Sequence, residues 1–392
     1  MRAMASIDEL KQRARRRIDE ARPRLIELSH SIHANPELGF EEREASGALA
    51  GLLSQSGLRV ETGVAGMATA LAGRAGSGPL HLAICAEYDA LPGVGHACGH
   101  NVIAASSAGA GIGLAAVVDA AGLRISVLGT PAEEGGGGKV VMLDKGVFDD
   151  VHAAMMVHPA PFDMVDPVLI AVVTLKIRYR GKSSHASAFP ELGINAADAV
   201  VVAQTAIGLL RQQLRSTDRV HGIVTRGGDA PNIIPELTEA TFYVRALTLD
   251  DLEDVHKKVL SCFEAGAIAT GARLEIAEDQ AYAEVRHDPE IAAAYKRNAE
   301  AVGRTFPDFG EAMRRASGST DMGNVSRAVP SIHPFIGIGG YPIVNHQPEF
   351  AALCATPEAD RAVIDAAVAM AWTAIDVAQD AGLRERLLRK QA

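Results

Sequence analysis

Aromatic side chains make up only 4% of the 392 residues, whereas glycine (38 residues) and alanine are abundant. Because few large rings are available to fill space, helices and strands must pack closely on small side chains. A chain of this length also exceeds what one ordinary hydrophobic core supports, so we expect two domains.

An excess of positive charge is also missing, since the formal net charge is −10. No basic face is evident that could meet phosphates, so the sequence predicts no nucleic-acid partner. The N-terminus has no hydrophobic segment typical of a signal peptide, and no charge-poor run of about 18 residues is apolar enough to span a bilayer. The four cysteines form no CxxC pair and predict no disulfide framework: Cys85, Cys98, Cys262 and Cys354. We therefore expect a cytoplasmic protein without a membrane partner.

Short apolar strands alternate with helices over the first 160 residues, which is typical of a largely parallel sheet with helices on its faces. A capping-box pattern at residues 6–9 opens the first helix, and Pro23 predicts a kink or restart within it. The run of small apolar residues at 102–121 predicts a buried helix. Strands are expected at 58–62, 68–72, 80–86, 123–129 and 153–158, with a later strand at 332–338 and a final helix at 357–380.

A proline-rich stretch at 159–167 predicts a linker, and the pattern then changes to longer, alternating strands. These strands alternate with two helices, which indicates an α+β sandwich with one exposed sheet face. The predicted strands are 169–179, 219–226, 238–247 and 273–278, and the predicted helices are 195–214 and 250–270. The expected fold is therefore α/β with two domains: a discontinuous first domain at 1–168 and 287–392, and an inserted sandwich at 169–286.

Residues 87–101 lie where the strand at 80–86 gives way to the buried helix, and they carry two carboxylates, two imidazoles and a thiol. Ligands bind at the carboxyl ends of strands in open α/β sheets, and these groups are ligands that zinc and its neighbours prefer. Gly95 and Gly99 permit a turn that lets Cys98 and His100 reach one ion. Taken alone, the pair would more often be a small core residue and an ordinary helix residue. The setting favours a metal centre.

Glu133 and Glu134 follow the next apolar strand and precede four glycines. Adjacent buried carboxylates repel each other unless a cation binds one or a proton neutralises the other. This pattern predicts that one is a metal ligand and the other a general base for a metal-activated water. A solvated acidic loop is the alternative.

His158 and His346 follow later strands, and either one alone is more typical of an ordinary satisfied polar residue. Independent accidents would rarely place a potential ligand at the end of all three apolar strands. The resulting set is large enough for two divalent ions, zinc first, with manganese or cobalt as alternatives. Its members are Cys98, His100, Glu134, His158 and His346.

The inserted domain offers weaker candidates for substrate binding. His185 lies in a Gly-Lys-Ser-Ser-His-Ala-Ser segment between a strand and a helix, and Asn232 and Arg245 flank the next strands. A capping turn, a β-turn and a surface charge are the alternative interpretations. Arg245 and Arg286 are the candidates for binding a substrate carboxylate.

Three segments and one histidine resemble a known family: 86–92 (Ala-Glu-Tyr-Asp-Ala-Leu-Pro), 96–100 (His-Ala-Cys-Gly-His), 131–138 (Pro-Ala-Glu-Glu followed by four glycines) and His346. They are similar to the two-metal metallopeptidases of the aminoacylase and glutamate carboxypeptidase superfamily, in the branch of hippurate, auxin-conjugate and aminobenzoyl-glutamate hydrolases. Asn101, in place of the aspartate of many relatives, and the segment 318–324 are more similar to the aminoacylase-1-like sub-branch that cleaves β-alanyl-lysine.

The resemblance implies roles for these residues. Cys98, His100, Glu134, His158 and His346 would bind the metals, and Glu133 would be the general base. His185 would reach the partner subunit's site and stabilise the oxyanion, while Asn232 would help to hold the substrate. The first domain would be catalytic, and the inserted domain would serve as a lid and as the interface of a homodimer.

The function expected is a metal-dependent hydrolase that cleaves the amide bond of N-acyl or N-aminoacyl amino acids. An exopeptidase restricted to true dipeptides is the alternative within the same chemistry. The alternative from another class is a catalytically silent, metal-dependent dimeric binding or assembly subunit. Glu133 favours the enzyme, because a silent relative would have no need of a general base.

Overall fold

The computed structural model describes residues 6–308, 310 and 318–389, and the chain divides into two compact units. Among the described residues, the first unit contains 6–168, 285–308, 310 and 324–389, and the second contains 169–284 with 318–323. The sequence placed 318–323 in the first domain. This segment belongs to the second unit because Ile170 N–H donates to the Gly318 carbonyl (3.0 Å) and Arg245 donates to Ser319 Oγ (2.8 Å).

The first unit is built on a six-stranded sheet. Its strands are β1 (Arg59–Thr62), β2 (Leu71–Gly76), β3 (Leu80–Ala86), β4 (Leu123–Gly129), β5 (Ala153–Met155) and β11 (Ser331–Ile332). In the order β1-β2-β4-β3-β5-β11, the pairs from β4 onward are parallel, and β1 and β2 are antiparallel additions. The predicted largely parallel α/β sheet is confirmed, and β3 and β4 have the predicted bounds.

Two predicted strands are each split in the structure. The run 153–158 becomes β5 and β6 (His158–Ala160), and the run 332–338 becomes β11 and β12 (Phe335–Gly337). The second halves form a separate parallel pair in which His158 lies opposite Phe335. Pro334 interrupts the ladder because it has no N–H to donate, although its carbonyl accepts from His158 N–H (3.0 Å). His158 therefore begins a strand, where the sequence had predicted that it ends one.

The helices pack closely on small residues. In α3 (His100–Ala115) every side chain from His100 to Leu114 is buried. A Cβ at Gly109 would come within 2.8 Å of Ala367 Cβ, and one at Gly113 within 2.8 Å of Ile18 Cδ1. The close packing expected from the scarcity of aromatic residues is thus present. The other helices of this unit are α1 (Ile7–Ala34), α2 (Arg43–Gln55), α4 (Val118–Ala121), α5 (Gly138–Asp144), α8 (Pro289–Ala301), α10 (Pro348–Leu353), α11 (Pro357–Gln379) and α12 (Ala381–Arg389).

Two of these helices test sequence predictions. The capping box between Ser6 and Glu9 is present at the start of α1, but the helix continues through Pro23, so the predicted restart there is wrong. In the part of the chain that the structure describes, α11 alone is long and apolar enough to cross a membrane by length and composition, contrary to the sequence expectation. Because 78% of its most apolar window is buried within the protein, core packing accounts for that composition.

The second unit is an antiparallel sheet with two long helices. Its strand order is β10-β7-β9-β8, with β7 (Ala171–Arg180), β8 (Arg219–Arg226), β9 (Leu237–Ala246) and β10 (Arg273–Glu278). The helices are α6 (Ala196–Leu210) and α7 (Leu249–Thr270), and α9 (Met322–Ala328) begins in the short segment that joins this unit. Phe242, Val244 and Ala246 are buried while the residues between them are more exposed. This is the alternation that the sequence predicted.

Candidate metal centre

The turn from β3 into α3 depends on glycine. Gly99 caps α3 with a φ of +81°, and a Cβ there would come within 2.4 Å of Pro159 Cγ and 3.1 Å of Cys354 Sγ. Gly95 also has a positive φ, of +65°. Because glycine adopts this region without steric cost, the chain can turn sharply and place Cys98 and His100 side by side.

All five predicted ligands lie together in the first unit. Cys98 Sγ is 3.4 Å from His158 Nε2, and His346 Nε2 is 3.5 Å from Glu134 Oε1. Potential ligand atoms of the described residues form three groups, each with all its atoms within 4.8 Å of one another, and two of these groups share Cys98. These two groups are Cys98, His100 and His158, and Cys98, Glu134 and His346.

Asp89 holds this arrangement in place, and sequence reasoning had given it no role. Its Oδ1 accepts from His100 Nδ1 (3.0 Å), and its Oδ2 accepts from the backbone N–H of Glu134 (2.9 Å). A carboxylate at Nδ1 leaves the His100 Nε2 lone pair facing the centre, which is the usual arrangement behind a metal-binding histidine. The available signal was the position of Asp89 in the segment 87–101.

Buried atoms without partners show that the site suits a cation. His100 Nε2 and Glu134 Oε1 are buried and have no hydrogen-bond partner among the described residues. Leaving such atoms unpaired costs about 1–3 kcal/mol each. Two ligands on a tetrahedral zinc ion, with bonds of about 2.0–2.3 Å, lie about 3.4 Å apart, close to the distances measured here. The thiol, imidazole and carboxylate donors therefore fit divalent ions of the zinc type.

Burial shifts the titration of these groups. It raises the pKa of the Cys98 thiol well above its usual range and raises the pKa of Glu134, while it lowers the pKa of His158 to about 4. Burial also disfavours charge on His100, but Asp89 and Cys98 outweigh it, so the pKa of His100 is raised well above its usual value. A cation would compete with protons for Cys98, Glu134 and His100.

Glu133 lies beside these ligands and is buried, with Oε2 3.9 Å from His100 Nε2.

His346 adopts a positive φ of +71°, and its backbone N–H donates to the Ala97 carbonyl (2.8 Å). Its side chain is 56% exposed, so this edge of the centre is open. The Asn101 side chain forms structural hydrogen bonds, because its amide nitrogen donates to Ser29 Oγ and to the Cys354 carbonyl.

In the second unit, His185 and Asn232 lie on adjacent segments. The Ala186 N–H donates to the Asn232 carbonyl (3.0 Å), and His185 Nδ1 accepts from the N–H of Ala188 (3.2 Å). Both His185 and Asn232 are at least partly exposed. Arg245 is half-buried, donates to Ser319 Oγ and lies 5.4 Å from the centre of the Tyr243 ring.

Arg286 was predicted in the inserted domain but belongs to the first unit. Its backbone N–H donates to Ser326 Oγ (2.9 Å), which connects this stretch to α9 residues of the first unit. Its side chain is exposed.

The sequence profile of Peptidase family M20/M25/M40 matches residues 83–367. The chain belongs to this peptidase family. The Xaa-Arg dipeptidase of Mus musculus is 39% identical to this peptidase over 388 residues, covering 95% of the chain and 90% of the relative. One of the chains of p-aminobenzoyl-glutamate hydrolase from Escherichia coli K12 is 31% identical over 285 residues, covering 67% of the chain and 59% of the relative.

A solved structure of a dinuclear metal-binding peptidase of the M20 family from Bacillus subtilis superposes with a TM-score of 0.63. It is 22% identical, and the match covers 89% of this M20 peptidase and 98% of that chain. The branch suggested by the sequence motifs is confirmed by these relatives. The protein is a metal-dependent hydrolase that cleaves the amide bond of N-acyl or N-aminoacyl amino acids, as predicted.

Proposed function

We propose that this M20 enzyme is a two-metal dipeptidase that cleaves dipeptides with a basic C-terminal residue, arginine first and lysine second. The observation that carries the two-metal part is the pair of ligand groups that share Cys98 beside Glu133. The basic preference is supported by the Xaa-Arg dipeptidase, which is similar along 95% of the chain. Hydrolysis of an aminobenzoyl amino acid is a second candidate, favoured by the similarity to the E. coli hydrolase.

One ion would be held by Cys98, His100 and His158, and the other by Cys98, Glu134 and His346. Bound zinc, or manganese or cobalt in its place, supplies a Lewis acid that polarises the amide carbonyl and makes water more acidic. Glu133 takes a proton from the attacking water and returns it to the nitrogen of the leaving amino acid. Burial of Glu133 at the edge of this cluster suits that role, because its proton exchange is then directed to the reacting groups.

We further propose that the second unit completes the substrate site in a homodimer. His185 would contact the oxyanion of a partner subunit, and Asn232 would contact the substrate backbone; their exposure leaves both side chains accessible for this purpose. Arg245 would bind the substrate carboxylate, since its guanidinium carries five N–H donors and gives one to Ser319. Arg286 remains the second candidate for the same carboxylate.

A substrate panel with matched controls tests the proposal. The metal-free protein, reloaded with Zn²⁺, Mn²⁺ or Co²⁺, is assayed on alanyl-arginine, alanyl-lysine, β-alanyl-lysine, alanyl-glutamate, N-acetyl-arginine and p-aminobenzoyl-glutamate. We expect kcat/KM to be highest for the basic dipeptides, and Glu133→Gln to bind metal normally while kcat falls by about 10²–10⁴-fold, the usual contribution of a general base. Higher kcat/KM on p-aminobenzoyl-glutamate would reverse the substrate assignment, and a fully active Glu133→Gln variant would refute the role of Glu133.

A further inference from the structure

Glu87 is a fully buried carboxylate whose two oxygens have different surroundings. Oε1 accepts from Lys139 Nζ at 2.5 Å, and neither side chain has any exposed surface. Oε2 lies 3.4 Å from His100 Nε2 and has no hydrogen-bond partner among the described residues. A buried carboxylate oxygen left in this way is costly unless a positive group satisfies it.

The neutral imidazole of His100, which Glu87 Oε2 faces, cannot donate a hydrogen bond to it. His100 Nδ1 donates to Asp89, so Nε2 presents a lone pair toward Glu87. Two lone pairs at 3.4 Å repel each other, whereas a cation between them, either a proton on Nε2 or a metal ion, would bind both. The separation equals the distance of about 3.4 Å expected between two ligands of one tetrahedral ion. Glu87, His100 and Glu133 also form a compact group of potential ligand atoms.

We infer that Glu87 is a sixth protein ligand of the centre, which binds the same ion as His100, and that Lys139 fixes its orientation. The inference rests on the proposed two-metal function and deepens it. Glu87 lies outside the group of Cys98, His100 and His158, so this ion would gain its fourth protein ligand, as in closed zinc sites, when the Glu87 carboxylate moves toward it. The other ion would keep three protein ligands and an open position, next to the exposed side chain of His346.

The two ions should therefore bind with different affinities. The closed site, with Glu87, is the tighter one, and the open site, with His346, is the weaker one that remains accessible to substrate. Lys139 acts through Glu87 and is a positioning residue. Without the Lys139 ammonium, the buried Glu87 carboxylate of the metal-free protein would have no positive partner, which lowers the free energy of unfolding. A bound metal ion would offset part of this loss of stability.

Titration of the metal-free full chain with Co²⁺ tests the assignment, with bound metal followed by elemental analysis and visible absorption. Glu87→Gln should weaken the tighter equivalent by about tenfold or more, since even residues that only support ligands cost 10–100-fold in metal affinity. It should leave the weaker equivalent within about threefold. His346→Ala should show the opposite pattern. Lys139→Met should lower the thermal stability of the metal-free protein more than that of the Co²⁺-loaded protein.

Glu42→Gln is the matched control. Glu42 is also fully buried, its Oε1 accepts from the Ala132 N–H (2.8 Å), and its Oε2 has no partner among the described residues, yet it belongs to none of the three ligand groups. Both Co²⁺ equivalents should keep their affinities in this variant. Equal weakening in Glu42→Gln and Glu87→Gln would show a general effect of a buried carboxylate and overturn the assignment.

The remaining outcomes separate this inference from the proposed function. The inference alone is overturned if the wild-type protein binds two equivalents of Co²⁺ and cleaves dipeptides while Glu87→Gln keeps both Co²⁺ affinities and the visible absorption unchanged. A wild-type protein that binds no Co²⁺ refutes the two-metal proposal itself. If Glu87→Gln does not fold, the double variant Glu87→Gln with Lys139→Met, which removes both buried charges, must show the same selective loss of the tighter equivalent.

Discussion

Replacing Asp89 by asparagine tests whether the carboxylate behind His100 sets the metal affinity of the centre. Asp89 accepts two hydrogen bonds, from His100 Nδ1 at 3.0 Å and from the Glu134 N–H at 2.9 Å. Asparagine has almost the same shape but only one acceptor oxygen, so its NH₂ group must face one of these two donors. The substitution therefore removes one charge-assisted bond without creating a cavity.

Two independent magnitudes agree on the size of the effect. A hydrogen bond to a charged group contributes about 1.5–3 kcal/mol. The loss of a group that supports a metal ligand typically weakens metal binding by about 10–100-fold. At 1.4 kcal/mol for each factor of ten, that range corresponds to about 1.4–2.8 kcal/mol. We therefore expect Asp89→Asn to weaken Zn²⁺ binding by about 10–100-fold, measured by competition with a chromophoric chelator.

Asp150→Asn is the matched control, because Asp150 Oδ1 also accepts from a histidine, His81 Nδ1, at 3.1 Å. Asp150 is 58% exposed and neither it nor His81 belongs to the ligand groups. Its substitution should leave Zn²⁺ affinity within about threefold, because neither partner of this hydrogen bond is a potential ligand of the centre. Wild-type Zn²⁺ affinity in Asp89→Asn, in a protein that folds normally, would show that Asp89 does not orient His100.

The turn at Gly99, the buried His81 and the metal requirement each give a further prediction. Gly99→Ala should abolish metal binding or folding, because the new Cβ collides with Pro159 and the positive φ adds a cost of about 1–2 kcal/mol. Gly57→Ala is the control: Gly57 has a φ of +92° but no atom near its Cβ position, so chemical unfolding should show only the backbone cost of about 1–2 kcal/mol. Burial lowers the pKa of His81, so the folded state resists protonation of its imidazole, and the free energy of unfolding should fall as pH drops below about 6.5. In urea titrations, His81→Gln should reduce the dependence of this free energy on pH; an unchanged dependence would contradict the prediction. Chelation at pH 7 should abolish hydrolysis and lower the melting temperature, and Zn²⁺ should restore both; a chelated protein with full activity would refute metal dependence.

The sequence predicted the parts of the fold that depend on local pattern. The strand at Leu80–Ala86 is a continuous apolar run bounded by glycine, proline and acidic residues, so its limits could be read directly. The split of the later strands could not be read in the same way. Pro334 lies at the break in its strand, but only pairing with a specific neighbour decides where each half continues.

The candidate site likewise contains residues that the sequence predicted and residues whose roles depend on tertiary contacts. Cys98, His100, Glu134, His158 and His346 were predictable because each follows an apolar strand, and such positions converge at one edge of a sheet. Asp89 and Glu87 lie in the same segment as Cys98 and His100, yet their type and spacing gave no distinct signal. Their roles depend on which atoms they meet.

The sequence alone therefore determined the fold class, the family and the chemical identity of the candidate metal ligands, because apolar periodicity and short motifs are encoded by neighbouring residues. Tertiary structure decided which buried oxygen faces which nitrogen. Lys139 meets Glu87 across 52 residues, and Asp89 meets Glu134 across 45. Such pairs depend on how the sheet and its flanking segments pack, since no local rule relates a lysine in one helix to a carboxylate at the end of a distant strand.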